Sequence, residues 1–212
     1  MAFKNKDFIE IEFTGTTTDG EVFDSNIKSD LEKIGSKQVA KPFTFVLGEG
    51  MFLPGIEEFL VGKEAGKYTI NLTPEKAFGK RDLTLVQLVP ESVFRQHNVR
   101  PITGMVFNFD GKLGKVVSAN GGRVRVDFNN PLSGKDVVYQ VNVLRDVKDT
   151  IEKVKALNDF LFRTDLKFSV DNKKLTIESP KKMAKFIELF KPKYKDILEL
   201  DLEVKEVEEK AN

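Results

Sequence analysis

The sequence predicts an α+β protein. It combines an antiparallel β-sheet domain with a short helix, a small β-rich domain inserted into it, and a small C-terminal α+β domain. Three observations carry this reading. Apolar residues alternate at strand spacing in short runs bounded by turn residues. Residues 80–130 form a patterned stretch too long and too structured for a simple connection. After residue 148 the apolar spacing turns helical. The expected domains are therefore 1–79 with 131–148, then 80–130, then 149–212.

Taken in order, Asp7 to Phe13 places Ile9, Ile11 and Phe13 on one strand face, and Thr18-Asp19-Gly20 supplies a turn. A polar loop is expected from Phe23-Asp24-Ser25 to Lys41. Pro42 to Leu47 reads as a strand, Pro54-Gly55 opens a helix through Leu60, and Lys67 to Leu72 is another strand. Leu83 to Val89 and Met105 to Phe109 are expected strands, separated by a short helix over Pro90 to Asn98. Asn120-Gly121-Gly122 between Lys115–Ser118 and Arg123–Phe128 is a strong hairpin signal. Asp136 to Val147 alternates over a length that suits a return to the first sheet.

In the C-terminal part Ile151, Val154, Leu157 and Leu161 mark one helix face, and Leu166–Val170 with Lys174–Glu178 reads as a hairpin. Ser179 is the expected N-cap of a second helix with Pro180 in its first turn. Its apolar face runs through Met183, Phe186, Ile187, Phe190, Tyr194, Ile197 and Leu198, and Pro192 should kink or split it. Asp201 to Val207 is the candidate last strand.

Composition narrows the function. The chain has 212 residues, 40% hydrophobic and 32% charged, with a net charge of +1. No basic field is present to draw in nucleic acid or an anionic membrane. The local run Lys181, Lys182, Lys185, Lys191, Lys193 and Lys195 is balanced by acids from Glu199 onward and reads as a solvated helix face. There is no cysteine, which removes disulfides, thiolate metal sites and cysteine nucleophiles. His97 is the single histidine and reads as a surface residue, so neither a catalytic triad nor a histidine metal cluster is expected. No apolar run reaches the length of a signal peptide or a membrane span. The expectation is a soluble cytoplasmic protein without cofactor or metal, and without hydrolytic, phosphoryl-transfer or redox chemistry.

The informative feature is aromatic: 18 phenylalanines, 3 tyrosines and no tryptophan. Several lie in a recognisable order. Phe13-Thr14-Gly15 precedes Asp19-Gly20 and Phe23-Asp24-Ser25. Then come Lys41 to Gly48, Phe52-Leu53-Pro54-Gly55 and Ala77-Phe78-Gly79. These segments resemble the successive signatures of FKBP-type prolyl cis/trans isomerases over residues 5–79 and 131–147. The insertion resembles the insert-in-flap domain of SlyD-like members, and the extra C-terminal domain resembles the long archaeal ones.

The resemblance implies a substrate pocket formed by Phe13, Phe23, Asp24, Phe43, Phe52, Leu53, Ile56, Phe78 and Tyr139. Asp24, Phe23, Phe13, Phe78 and Tyr139 would be its catalytic set, and Phe43, Phe52, Leu53 and Ile56 its substrate-binding set. Asp24 reads either as an electrostatic partner of the twisting carbonyl or as a turn-capping aspartate. The family's usual tyrosines are phenylalanine at 13 and 78, and its floor tryptophan is Ile56. The apolar cavity survives these changes, while tight macrolide binding loses support. The histidine- and cysteine-rich metal tail of some relatives is absent from Glu208-Glu209-Lys210-Ala211-Asn212.

For the insert, a domain of this size buries only part of its apolar set. Leu88, Phe94, Met105 and Phe107 are the candidates for an exposed groove that binds unfolded clients. The implied partners are unfolded polypeptides and prolyl peptides, with a homodimer through the C-terminal domain as one option. The rival function is a holdase chaperone or scaffold whose isomerase pocket is vestigial.

Overall fold

The first alternating run becomes the strand around which the largest sheet is organised. In a computed structural model of the chain, residues 1–207 are described. The metal-tail reading of Glu208 to Asn212 falls outside the described residues. The chain forms two compact units, Met1–Asn71 with the chain from Val138 onward, and Leu72–Val137.

In the first unit, β1 (Phe8–Thr17) buries Ile9, Ile11 and Phe13 as the alternation requires. Its second half pairs antiparallel with β2 (Val22–Ser25), and its first half with a strand further along. Between them lies a short helix, α1 (Lys28–Lys33), inside the segment expected to be polar loop. Only Leu31 of that helix is buried, so no apolar period announces it. The partner of the first half of β1 is β3 (Phe43–Val46), followed by α2 (Pro54–Leu60), with its proline at the helix start, and β4 (Gly66–Leu72).

The second unit is a four-stranded antiparallel sheet. It contains β5 (Val86–Pro90), α3 (Glu91–Gln96), β6 (Val106–Phe109), β7 (Lys112–Asn120) and β8 (Arg123–Asp127), in strand order β5-β8-β7-β6. Leu83–Leu85 is a 3₁₀ turn, so the strand expected from Leu83 begins only at Val86. Phe94, Val116, Val124 and Val126 form the core, with Phe107 and Phe109 packed against it.

The chain re-enters the first sheet through β9 (Val137–Asp146), giving the order β2-β1-β9-β4 with β3 added on β1. Val147 continues from it and donates to the Phe8 carbonyl at 2.7 Å. Next come α4 (Thr150–Phe162), β10 (Phe168–Asp171), β11 (Lys174–Pro180), α5 (Lys181–Glu188), α6 (Lys191–Leu198) and β12 (Asp201–Val207). These strands make a three-stranded sheet, β10-β11-β12, in which β11 and β12 run parallel.

Three expectations are corrected in this C-terminal part. Ser179 is not an N-cap: β11 runs through Pro180, and the Ser179 hydroxyl donates to the Pro180 carbonyl instead. Ile151 is exposed; the buried face of α4 is Val154, Leu157, Asn158 and Phe162. Phe186 also points to solvent, and Ala184 with Ile187 forms the buried face of α5. Pro192 divides the predicted long helix into α5 and α6.

The C-terminal elements are tied to the first sheet by specific pairs. Lys193 meets Glu49 at 2.9 Å, Lys6 meets Asp196 at 2.7 Å, and Lys153 lies over the Phe8 ring. Inside, the Tyr194 hydroxyl donates to buried Asn158. Among the described residues no helix is long and apolar enough to cross a membrane.

Candidate functional site

Six aromatic residues of the first unit converge on one face of its sheet. Phe13 reaches from β1, Phe43 and Phe45 from β3, Phe52 from the loop before α2, Phe23 from β2 and Tyr139 from β9. The Phe13 and Phe52 rings lie 4.9 Å apart, and Phe43 and Phe52 lie 5.6 Å apart. Tyr139 stands 6.0 Å from Phe13 and 5.8 Å from both Phe52 and Phe23, the last two edge-on. Such tilted and edge-to-face pairs match the ring quadrupoles.

A cavity of about 230 Å³ opens over this cluster, bordered by Phe13, Asp24, Phe43 and Phe52 among others. Of the remaining predicted residues, Tyr139 and Ile56 are fully buried, Phe23 adjoins through its contact with Tyr139, and Leu53 stands half-exposed at the entry to α2. Phe78 belongs to the other unit, where its carbonyl accepts from the Ser133 hydroxyl at 3.1 Å.

Asp24 is the cavity's carboxylate. The Tyr139 hydroxyl donates to it at 3.3 Å. Burial pushes its pKa above the ordinary aspartate value, against the opposing pull of the Tyr139 bond and the Ser25 backbone. Burial also raises the Tyr139 hydroxyl, and the Asp24 charge adds to the shift. This phenol stays protonated and remains a donor.

Three residues that sequence reasoning did not single out build the cavity's frame. Asn26 donates from its side-chain nitrogen to the carbonyls of Ile11 and Lys41 and accepts from the Phe13 N–H at 2.7 Å. It thereby pins the far end of the loop against β1. Glu57, buried on α2, accepts from the backbone N–H groups of Gly48, Gly50 and Phe52 at 2.8, 3.1 and 2.7 Å. Gly48 and Gly50 take φ values of 84° and 69°, which favour glycine, so the loop bearing Phe52 can fold onto that carboxylate. Gly15 lies so close under the rings that a Cβ there would sit 2.8 Å from Cζ of Tyr139 and 3.0 Å from Cζ of Phe23. The cavity rim includes Leu31 and Val39, of which Val39 is 83% exposed.

In the second unit, two of the four predicted client residues are open to solvent: Leu88 at 62% and Met105 at 42%. Phe94 is corrected. It is 3% exposed because α3 turns it into the core, 5.2 Å from the Phe107 ring and 5.7 Å from Phe109. Phe107 is half-buried and shares that core. Leu113 at 65%, together with Val106, was the less legible part of the exposed apolar surface, and both border a cavity of about 640 Å³. Among the described residues, no three acidic or histidine side chains converge on a cation site.

A family model described as FKBP-type peptidyl-prolyl cis-trans isomerase matches residues 1–95, and one described as FKBP26, IF domain matches residues 87–132. The chain is 30% identical over 149 residues to a short-type peptidyl-prolyl cis-trans isomerase of Methanocaldococcus jannaschii, spanning 68% of this chain and 94% of that protein. It is 39% identical over 111 residues to a probable FKBP-type 16 kDa peptidyl-prolyl cis-trans isomerase of Pseudomonas fluorescens, spanning 50% and 73%. SlyD of Vibrio cholerae is 32% identical over 116 residues, or 52% of this chain and 57% of SlyD. With nearly all of the Methanocaldococcus protein matched and the aromatic cavity in place, the chain belongs to the FKBP-type peptidyl-prolyl cis-trans isomerases.

Proposed function

We propose that the prolyl bond is twisted in the cavity over Phe13, Phe43 and Phe52, and that the sheet of the second unit holds unfolded clients. The observation that carries the first half is a half-buried carboxylate, Asp24, beside five converging rings and bonded by one of them. An X-Pro amide turns over a barrier of roughly 18–20 kcal/mol set by its resonance. The planar form has a large dipole and is well solvated; the twisted form loses conjugation and charge separation. A water-poor aromatic wall disfavours the planar form relative to the twisted one, so differential binding does the work and no nucleophile is required.

In this reading Phe23, Phe43 and Tyr139 supply the apolar wall, and Phe13 and Ile56 the floor. The Leu53 N–H, at the entry to α2 and outside its ladder, holds a substrate carbonyl. Asp24 acts electrostatically on the twisting carbonyl, and the Tyr139 hydroxyl orients it.

The chaperone half rests on the exposed Leu88, Met105, Val106 and Leu113, an apolar surface that a unit of this size does not bury. The domain division 1–79 with 131–148, 80–130 and 149–212 belongs to this reading, as does a cytoplasmic setting. A homodimer through the C-terminal domain is its third part. It is supported by Phe186 and Leu189, which α5 leaves exposed beside Phe190. Light scattering on the full chain checks it, and a monomer at all concentrations removes it.

The central test is refolding of a protein limited by a slow prolyl phase. Wild type is compared with Phe23→Ala, Tyr139→Ala and a deletion of residues 80–130. The pocket variants lose catalysis on any substrate. The deletion keeps activity on short peptides and loses it on the unfolded protein. Equal turnover by wild type and pocket variants leaves the holdase reading in its place.

A further inference from the structure

The rim of the aromatic cavity is shared. Lys41, Pro42 and Phe43 border that cavity and also a larger groove of about 590 Å³ whose other wall is α4. From α4 the groove receives Lys155, Ala156, Asp159 and Phe160, and from its C-cap Arg163. Its floor is latched: Arg145 on β9 donates to both carboxylate oxygens of Glu10 on β1, at 2.7 and 3.2 Å, and to Glu152 on α4 at 2.8 Å. The helix is thus tied to the strands that carry the cavity, and both walls of the groove belong to one unit.

Two properties of the groove identify its occupant. It shares Lys41, Pro42 and Phe43 with the cavity, so a chain with its proline between the rings crosses that segment to reach Ala156 and Phe160. Its charges are also unevenly matched. Arg145 is satisfied by two carboxylates, whereas Lys41, Lys155 and Arg163 have none within ion-pair reach among the described residues, and Asp159 is the single carboxylate facing them without a partner.

We propose that this groove seats the residues flanking the isomerised proline in the same client chain, and that Lys41, Lys155 and Arg163 give the enzyme a preference for acidic flanking residues. The inference rests on the reading of the aromatic cavity as the prolyl site. The C-terminal domain then serves as part of the substrate path, and α4 is a specificity element absent from the core sheet.

The test uses the full chain and unstructured peptides that contain one proline, with two aspartates, asparagines or lysines a few residues before or after it. On one side of the proline, kcat/KM for the aspartate peptide should exceed that for the lysine peptide by about threefold to tenfold, the size two exposed ion pairs support. The preference should shrink with added salt. Lys155→Gln with Arg163→Asn should abolish it and leave turnover of a four-residue prolyl peptide unchanged. Asparagine suits position 163, whose φ is 51°. Equal kcat/KM for aspartate and lysine peptides on both sides overturns the proposal, whatever the variant does. A misplaced prolyl site shows differently: Phe23→Ala and Tyr139→Ala would leave turnover of the four-residue peptide intact.

Discussion

The Tyr139 hydroxyl donates to the Asp24 carboxylate at 3.3 Å, joining a fully buried ring beneath the cavity to its acid. This carboxylate is held above its ordinary pKa by burial. Its folded pKa therefore exceeds its unfolded one, and linkage gives the sign. The associated stability is present below the unfolded value, 3.8, and is lost as pH rises through the folded value. At neutral pH, ionised Asp24 costs stability. Asp24→Asn should thus be as stable as wild type or more so in urea at neutral pH, and the gap should close as the pH falls towards 3.8.

The same substitution should lower kcat/KM on a short prolyl peptide by about tenfold, or 1.4 kcal/mol of transition-state stabilisation. Wild-type turnover should fall with acid at a midpoint above 3.8, and that limb should vanish in the variant. Unchanged turnover in Asp24→Asn would leave the aspartate with only a turn-capping part.

Gly15 makes the approach of Tyr139 and Phe23 possible, because any Cβ would meet both rings at 3.0 Å or less. Its backbone needs no special φ, so the demand is purely for space. Gly15→Ala should cost about 1–3 kcal/mol, as overpacking does, and should lower turnover by displacing the rings. Gly15→Ala combined with Tyr139→Leu should recover part of the stability but none of the activity. Additive losses in the double-mutant cycle would show that the two sites do not press on each other.

Glu57 acts on the opposite rim. Its carboxylate takes three backbone N–H groups of the loop that carries Phe52. In Glu57→Gln the side-chain nitrogen must face at least one of these donors, at a cost of about 1–3 kcal/mol for the group left unpaired. The loop then loosens, and KM should rise more than kcat falls. Urea unfolding and steady-state kinetics read the two effects separately, and an unshifted midpoint would remove the clamp.

The cavity and its frame also mark what the sequence revealed and what it concealed. Phe13, Phe43, Phe52 and Tyr139 were legible because the order of their neighbouring segments resembles the family's, and strand alternation independently places Phe13 and Phe43 on one face. Glu57 was invisible as a clamp: beside Glu58 it reads as one of two adjacent helical acids, and its partners are backbone groups that no side-chain pattern reports. Asn26 hid within a polar loop, as did α1, whose single buried residue, Leu31, carries no period. In the insert, apolar content was plain, but periodicity cannot rank which of several phenylalanines a small sheet encloses. Only the packing of α3 separates Phe94 from Leu88.

That separation yields a contrast within one unit. Phe94 is enclosed by Phe107 and Phe109, so Phe94→Ala should cost about 3–5 kcal/mol, as large core truncations do. A loss of that size is a large share of the stability of so small a sheet. Hydrogen exchange over residues 72–137 should accelerate throughout, and client holding should fail through unfolding. Leu88→Ser with Leu113→Ser removes apolar surface that is already in water, so exchange should stay slow. In that variant, suppression of aggregation of an unfolded protein should weaken while turnover of a four-residue prolyl peptide persists. If aggregation is suppressed as well as by wild type, the exposed leucines are not the client surface.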